Sequence, residues 1–322
     1  MRSDTDWFKT AGWGVFTHYL AETVANGENT TPEEWNRIVN QFDVERLARQ
    51  LEEVGAVYYF ITIGQISGYY CSPNQTYDSL VGIKPSKCSR RDLIRDLYTA
   101  LNPLGIKLMV YLPSHAPSRD LTAIERLKCT PTWDAPIWNL KKGYKIVEGI
   151  DERLSEFQRN WEAIVREWST RWGKNVHGWW FDGCYYAEKM YQHSNPPNFQ
   201  SFAAAAKAGN PDSLVTFNPG VKVPVISLTE YEDYTAGEIS LAFPVCPGRW
   251  VNGAQFHILG YLGSWWGKGK PRFSIEFVYG YTKDLISKEG VITWDVPIAG
   301  DGQIPQPFIE QLKSLKELGS KI

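Results

Sequence analysis

The feature that most constrains this chain is a repeated alternation of short, unbroken apolar runs with amphipathic helical patterns. Ala56–Ile63 (AVYYFITI) and Ile106–Leu112 (IKLMVYL) are almost free of polar residues, the pattern of strands covered on both faces. A strand with one wet face would alternate instead. Between such runs lie helical segments. Asp43 precedes Val44, Leu47, Leu51 and Val54 at three-to-four spacing, and Gly55 closes the run, so a capped helix is expected there. Ser89 reads as the cap of RRDLIRDLYTALNPLG, and Asp151 as the start of a long helix through Trp172. Further helices are expected near 197–208, 279–288 and 306–319. Trp13–Tyr19, Gly178–Asp182, Leu214–Asn218, Gln255–Leu262, Arg272–Phe277 and Val291–Val296 read as strands. Ser227–Glu238 is a polar strand-or-loop candidate, and the loop 113–150 is expected to help wall a site.

Strand–helix alternation implies parallel pairing with helical crossovers. Roughly eight such units in 322 residues predict an α/β chain folded as one (β/α)8 TIM-like barrel, a single domain over residues 1–322. No glycine-rich dinucleotide fingerprint follows an early strand and no Walker-type loop occurs, so an open nucleotide-binding sheet is the weaker architecture.

Composition narrows the function classes. Lys and Arg number 34 against 36 Asp and Glu, a net charge of −2 spread evenly along the chain. That balance gives no electrostatic footprint for nucleic acid or an acidic membrane surface. Five widely spaced cysteines form no CxxC or Cys/His cluster, leaving at most a single bridge open and no zinc site indicated. His18, His115, His177, His193 and His257 show neither HxH nor HExxH spacing, and no GxSxG elbow occurs. No metal or cofactor is therefore expected. No apolar run is long enough to span a bilayer, and no apolar leader opens the chain. A soluble protein is the expectation; a processed secreted chain would begin the same way, so compartment and oligomeric state stay open.

Chemistry is concentrated in Gly178-Trp179-Trp180-Phe181-Asp182-Gly183, an apolar strand ending on one carboxylate. In a β/α barrel the C-terminal strand ends surround the active site. Aromatic rings stack on apolar sugar faces while a carboxylate works at the anomeric carbon. The alternative for Asp182 alone is a loop or helix-cap aspartate. Fourteen Trp, seventeen Tyr and fourteen Phe make a heavy aromatic load, and the pairs Tyr69-Tyr70, Trp179-Trp180, Tyr185-Tyr186 and Trp265-Trp266 fit a carbohydrate cleft better than a core. A glycosidase needs a second carboxyl group. The acid-rich stretch Glu230–Glu238 and Glu276 supply candidates, and crowding of carboxylates would keep one of them protonated. His18, ending the first strand, is a candidate hydroxyl-binding group.

With these residues in view, the chain resembles glycoside hydrolase family 29, the α-L-fucosidases, along nearly its whole length. Trp7–His18 (WFKTAGWGVFTH) is similar to that family's opening, Gly55–Tyr58 with Thr62 to its "GAKY…T" strand, and Arg91–Leu93 to its "RDLV" helix start. WWFDG resembles its "WFDG" strand, Gly263–Gly267 (GSWWG) its "SWGY" region, and Tyr281–Pro305 its "VSKNGNLLLNVGP…DGxIP" region. The resemblance implies a retaining exo-glycosidase for an α-linked terminal sugar, with Asp182 as nucleophile and Glu238 as acid/base, Glu232 and Glu276 standing behind it. His18, Gln65, Tyr69, Trp180, Tyr185, Trp265 and Trp266 would bind the substrate, a glycoside or oligosaccharide. One departure matters. The family's Lys-His-His-Asp-Gly is here Gly64-Gln65-Ile66-Ser67-Gly68, and losing two imidazole donors changes what hydroxyls a site can reward. A different sugar, an inverting enzyme or a non-catalytic carbohydrate-binding barrel are the alternatives this opens.

Overall fold

Apolar runs of the kind described pair where their flanking helices can cover them, and nine strands result among the described residues. They are β1 (Trp13–Thr17), β2 (Tyr58–Thr62), β3 (Lys107–Pro113), β4 (Gly178–Asp182), β5 (Leu214–Phe217), β6 (Trp250–Val251), β7 (Ala254–Gln255), β8 (His257–Tyr261) and β9 (Val291–Val296). The structure, a computed structural model, describes residues 2–115, 117–129 and 152–319. Trp133, Trp138, Asp151 and most of the expected wall loop lie outside them. Among the described residues no helix is long and apolar enough to cross a membrane.

Seven strands form one curled parallel sheet in the order β5-β4-β3-β2-β1-β9-β8, while β6 and β7 make a separate antiparallel hairpin. Among the described residues the single α/β domain thus keeps the expected strand–helix alternation but not eight regular staves. Residues 233–239 run between the two sheet edges as an irregular segment. Asp233 N–H donates to Val215 O (2.8 Å), Thr235 N–H to Gln255 O (3.0 Å) and Ile239 N–H to Leu259 O (3.0 Å). Only isolated bridges form there, at Tyr234 and Glu238. A segment this rich in carboxylates and carrying Gly237 with φ 59° does not keep a regular ladder.

Period-two alternation divides the strand side chains between two cores. In β4, Trp180 faces the inside of the curl and stacks on Tyr111 at 5.4 Å and 16°. Trp179 and Phe181 face the helices, against Trp172 (5.8 Å) and Phe202 (4.3 Å) respectively. Phe8, Phe16, Tyr58, Phe60, Met109 and Leu259 fill the rest of the inner core. The aromatic pairs are therefore mostly core: Tyr69, Tyr70, Trp179 and Trp180 are all buried. All five cysteines are free and buried.

Two local expectations change. Asp92 caps helix Leu93–Leu101, accepting from Arg95 N–H, while Ser89 lies upstream and accepts from Arg91 N–H (3.2 Å). A carboxylate next to the first helical residue is the better acceptor for the free N–H groups of the first turn. The strand expected at Arg272–Phe277 is instead the start of helix Ile275–Ser287, where Ser274 accepts from Phe277 N–H. A serine cap with Glu276 in the first turn is a helix-start signal that overrides the apolar run.

Candidate active site

The C-terminal ends of the parallel strands converge on one pocket of about 400 Å³. Asp182, the last residue of β4, is held from four directions. Its Oδ1 accepts from Gly183 N–H (2.7 Å), Tyr185 Oη (3.1 Å) and Asn218 Nδ2 (2.8 Å). Its Oδ2 accepts from Tyr111 Oη at 2.6 Å. Burial keeps the Tyr111 phenol well above its usual pKa, so that hydroxyl remains a donor. Gly183 makes the arrangement sterically possible: its φ is +77° and a Cβ there would sit 2.0 Å from the His115 ring.

Glu238 stands on the irregular segment and lines the same pocket. Asn218, immediately after β5, donates through Nδ2 to Glu238 Oε2 (2.6 Å) as well as to Asp182 Oδ1. Two oxygens bonded to one nitrogen can be no further apart than the two bonds laid end to end, so the carboxyl groups are close neighbours. Burial first, and the negative Asp182 second, push the Glu238 carboxyl up to about 7, with the Asn218 bond pulling the other way. An ionised carboxylate beside an acid of that pKa is the division of roles needed where one group attacks and the other delivers a proton.

The opposite wall comes from β1 and β9. His18 follows β1, and its Nδ1 lies 2.8 Å from Asp295 Oδ1. Asp295 is fully buried in β9, and its other oxygen accepts from Gly267 N–H at 2.6 Å. Burial raises the Asp295 carboxyl pKa, while His18 and the Gly267 bond oppose the shift. Gly267 has φ +61°, and a Cβ there would meet His18 Cβ at 2.8 Å, so the turn that presents Trp265 and Trp266 can approach the imidazole only as glycine. Gln65 completes the floor, donating from Nε2 to Tyr111 Oη (2.7 Å).

The structure thus brings together Asp182, Glu238, His18, Gln65, Trp180, Tyr185, Trp265 and Trp266. Three expected site residues lie elsewhere. Tyr69 is buried against Trp35, with its hydroxyl donating to Thr30 O; it braces a loop and does not reach the pocket. Glu232 is completely buried behind β5, accepting from Leu228 N–H (2.6 Å), Phe217 N–H (3.3 Å) and Thr216 Oγ1 (3.3 Å). Burial pushes it up to about 7 as well, but it does not line the pocket that holds Asp182 and Glu238. Glu276 is solvent-exposed on the first turn of its helix, where its own backbone N–H and Ser274 lower its pKa. Tyr111, Asn218 and Asp295 are the site residues that the sequence reading passes over. Among the described residues there is no group of three or more potential metal ligands.

The family model for alpha-L-fucosidase matches residues 31–320 of the chain. No match was found among curated protein sequences. In three dimensions the chain is similar to the endo-fucoidan hydrolase MfFcnA4 of glycoside hydrolase family 107, with a TM-score of 0.71, 18% identity, and coverage of 98% of this chain and 53% of that one. The chain therefore spans about half the length of that relative. A second endo-fucoidan hydrolase, P5AFcnA, gives a TM-score of 0.67 at 14% identity over 98% of this chain and 93% of that one. A variant of the alpha-L-fucosidase AlfC in complex with Fuca(1,6)GlcNAc gives a TM-score of 0.62 at 16% identity over 97% and 96%. At these identities the neighbours speak for the fold alone, and it is the sequence match over nine-tenths of the length that places the chain in the alpha-L-fucosidase family.

Proposed function

We propose that this chain is a fucose-acting glycoside hydrolase working by double displacement. The observation that carries the proposal is the pair Asp182 and Glu238 on one pocket wall, joined through Asn218 Nδ2 at 2.8 and 2.6 Å. Retaining glycosidases hold their two carboxyl groups about 5–5.5 Å apart, inverting ones about 6.5–9.5 Å, and a shared amide fits the shorter spacing. Family membership and a neighbour bound to 4-nitrophenyl-a-L-fucopyranoside support fucose as the sugar.

In the first step an Asp182 oxygen attacks the anomeric carbon. The glycosidic bond breaks, and its electron pair leaves on the aglycone oxygen, which takes the proton from Glu238. In the second step Glu238 removes a proton from water, the water oxygen bonds to the anomeric carbon, and the ester to Asp182 breaks. His18 and Gln65 would meet sugar hydroxyls, while Trp180 and Trp266 cover an apolar sugar face. Gln65 supplies an amide where the family carries an imidazole, so the hydroxyl pattern accepted here differs in donor geometry.

The test is hydrolysis of 4-nitrophenyl α-L-fucoside, with product stereochemistry followed by proton NMR. An initial α-anomer, absent with Asp182→Ala, is expected. An initial β-anomer would replace the double displacement by direct inversion, and turnover on other p-nitrophenyl glycosides alone would change the sugar.

A further inference from the structure

The carboxylate of Asp295 joins two parts of the pocket wall that are far apart in sequence, His18 after β1 and the turn at Gly267. Its Oδ2 accepts from Gly267 N–H, a donor with no choice of role, and its Oδ1 faces His18 Nδ1. Asp295 has no exposed surface, and neither oxygen can exchange its partner for water. His18 is only 8% exposed, and the exposed part lines the pocket. The ring's orientation is further fixed by Phe16 at 4.6 Å, Tyr111 at 5.7 Å and Trp266 at 5.8 Å between ring centroids.

We infer that Asp295 is a positioning residue that sets the tautomer of His18, holding the proton on Nδ1 so that the neutral ring offers Nε2 to a sugar hydroxyl as an acceptor. A neutral imidazole carries one donor and one acceptor, and the partner of one nitrogen decides the role of the other. A histidine presented as an acceptor selects a ligand hydroxyl that donates at that point. The pocket then holds an acceptor at His18 and an acid at Glu238, so the glycoside must give a hydrogen bond from a sugar hydroxyl on one side and receive a proton on its glycosidic oxygen on the other. This assignment deepens the proposed function, since it takes the sugar to sit against His18.

Asp295→Asn is the informative change because Gly267 fixes how the new amide sits. The amide oxygen must face Gly267 N–H, since the reverse orientation would oppose two donors. The amide nitrogen then donates to His18 Nδ1, which forces the proton to Nε2 with little change in shape. Two-bond proton–nitrogen correlation spectra of 15N-histidine-labelled protein read the tautomer directly, and His18→Asn assigns the signal by its loss. With the ring neutral, the wild type is expected to show Nδ1–H and Asp295→Asn to show Nε2–H. KM for 4-nitrophenyl α-L-fucoside should rise about tenfold, the equivalent of one mismatched hydrogen bond, with kcat changed less than KM. A wild-type spectrum with the proton on Nε2 would overturn the inference, whether or not the variant folds. Unchanged tautomers in Asp295→Asn would do the same. The spectra are independent of turnover, so a protein inactive on every fucoside but carrying the Nδ1–H tautomer would sink the proposed activity and leave this assignment standing.

Discussion

Glu232 and Glu238 sit at the two ends of one short segment, and both have carboxyl groups pushed up to about 7 by burial. Their surroundings differ in kind. Glu232 is sealed behind β5 with both oxygens occupied by donors from Leu228, Phe217 and Thr216. Glu238 opens onto the pocket beside Asp182, sharing the Asn218 amide with it. A perturbed carboxyl group thus marks chemistry only when it faces free space and a partner. Without those, the same shift is the signature of a structural group. The acidic stretch holds both settings, with Asp233, buried and paired to Lys207, on the structural side beside Glu232.

The largest effect that would sharpen this contrast is loss of the partner. Asp182→Ala is expected to lower turnover of 4-nitrophenyl α-L-fucoside by about 10³-fold or more while leaving the thermal midpoint within a few degrees of wild type. Near-normal rates would remove Asp182 from the chemistry. Next, Glu238→Gln should cost about 10²–10⁴-fold on a glycoside with a poor leaving group, the range for one general acid. The loss should shrink when the leaving group is 4-nitrophenolate, and equal losses on both substrates would argue against proton delivery by Glu238. The wild-type profile follows from the same group: a general acid with a pKa of about 7 is lost as pH rises through 7, so first-step rates should fall on that side.

Glu232→Gln should break the symmetry in the other direction, leaving kcat/KM within about threefold of wild type and costing about 1–3 kcal/mol of stability, because an amide nitrogen would face a backbone donor. Its pH signature has a definite sign. The folded carboxyl at about 7 against an ordinary 4.5 means the native state binds the proton more tightly. Its contribution to stability is therefore complete below about pH 4.5 and is lost as pH rises through 7, with about 3–4 kcal/mol as a ceiling. Denaturant titrations at pH 5 and 8 should show the wild type losing more stability than Glu232→Gln over that interval. An identical loss in both would place the shift elsewhere. The smallest effect belongs to the rim. Trp265 is 58% exposed, and Trp265→Ala should raise KM only about two- to fivefold, since an exposed stacking face contributes of order 1 kcal/mol. A collapse of kcat would mean the turn also organises the acid.

The parts of this molecule that could be read from sequence are those with a local signature. The Asp43 cap, the unbroken strands and the WWFDG strand end all follow from periodicity and chain chemistry, as does the placing of His18 at the mouth. What escaped has no local signature. Tyr111 lies in an apolar run like any core tyrosine, and it is the pairing of β3 with β4, which sets it opposite Trp180, that lets its hydroxyl reach Asp182. The Tyr69-Tyr70 pair looked like cleft lining because aromatic doublets are awkward to bury, yet helix Pro32–Asn40 supplies Trp35 to cover both: its ring packs on Tyr69, and its indole N–H donates to Tyr70 O. Two signals were present and unread. A lone carboxylate inside VITWDV needs a buried partner, and Asn218 follows β5 directly, one residue beyond the Phe181–Phe217 pair and so level with Asp182. No eighth regular stave forms among the described residues: residues 233–239 span the two sheet edges through single hydrogen bonds and bridges, which no alternation pattern encodes.

The two hydrogen bonds that Asn218 donates, one to each carboxyl group, have a consequence for the energetics of a whole turnover. In the proposed cycle Asp182 loses its negative charge when the sugar is bound to it, in the same step that Glu238 acquires one by giving up its proton. The formal charge of the pair is the same at the start, at the intermediate and at the end; only its location moves, from one side of the Asn218 amide to the other. Each amide hydrogen already points at one of the two places where the charge rests. The surrounding dipoles need not reorganise to follow the charge, and the pocket can run both halves of the reaction with one fixed set of donors.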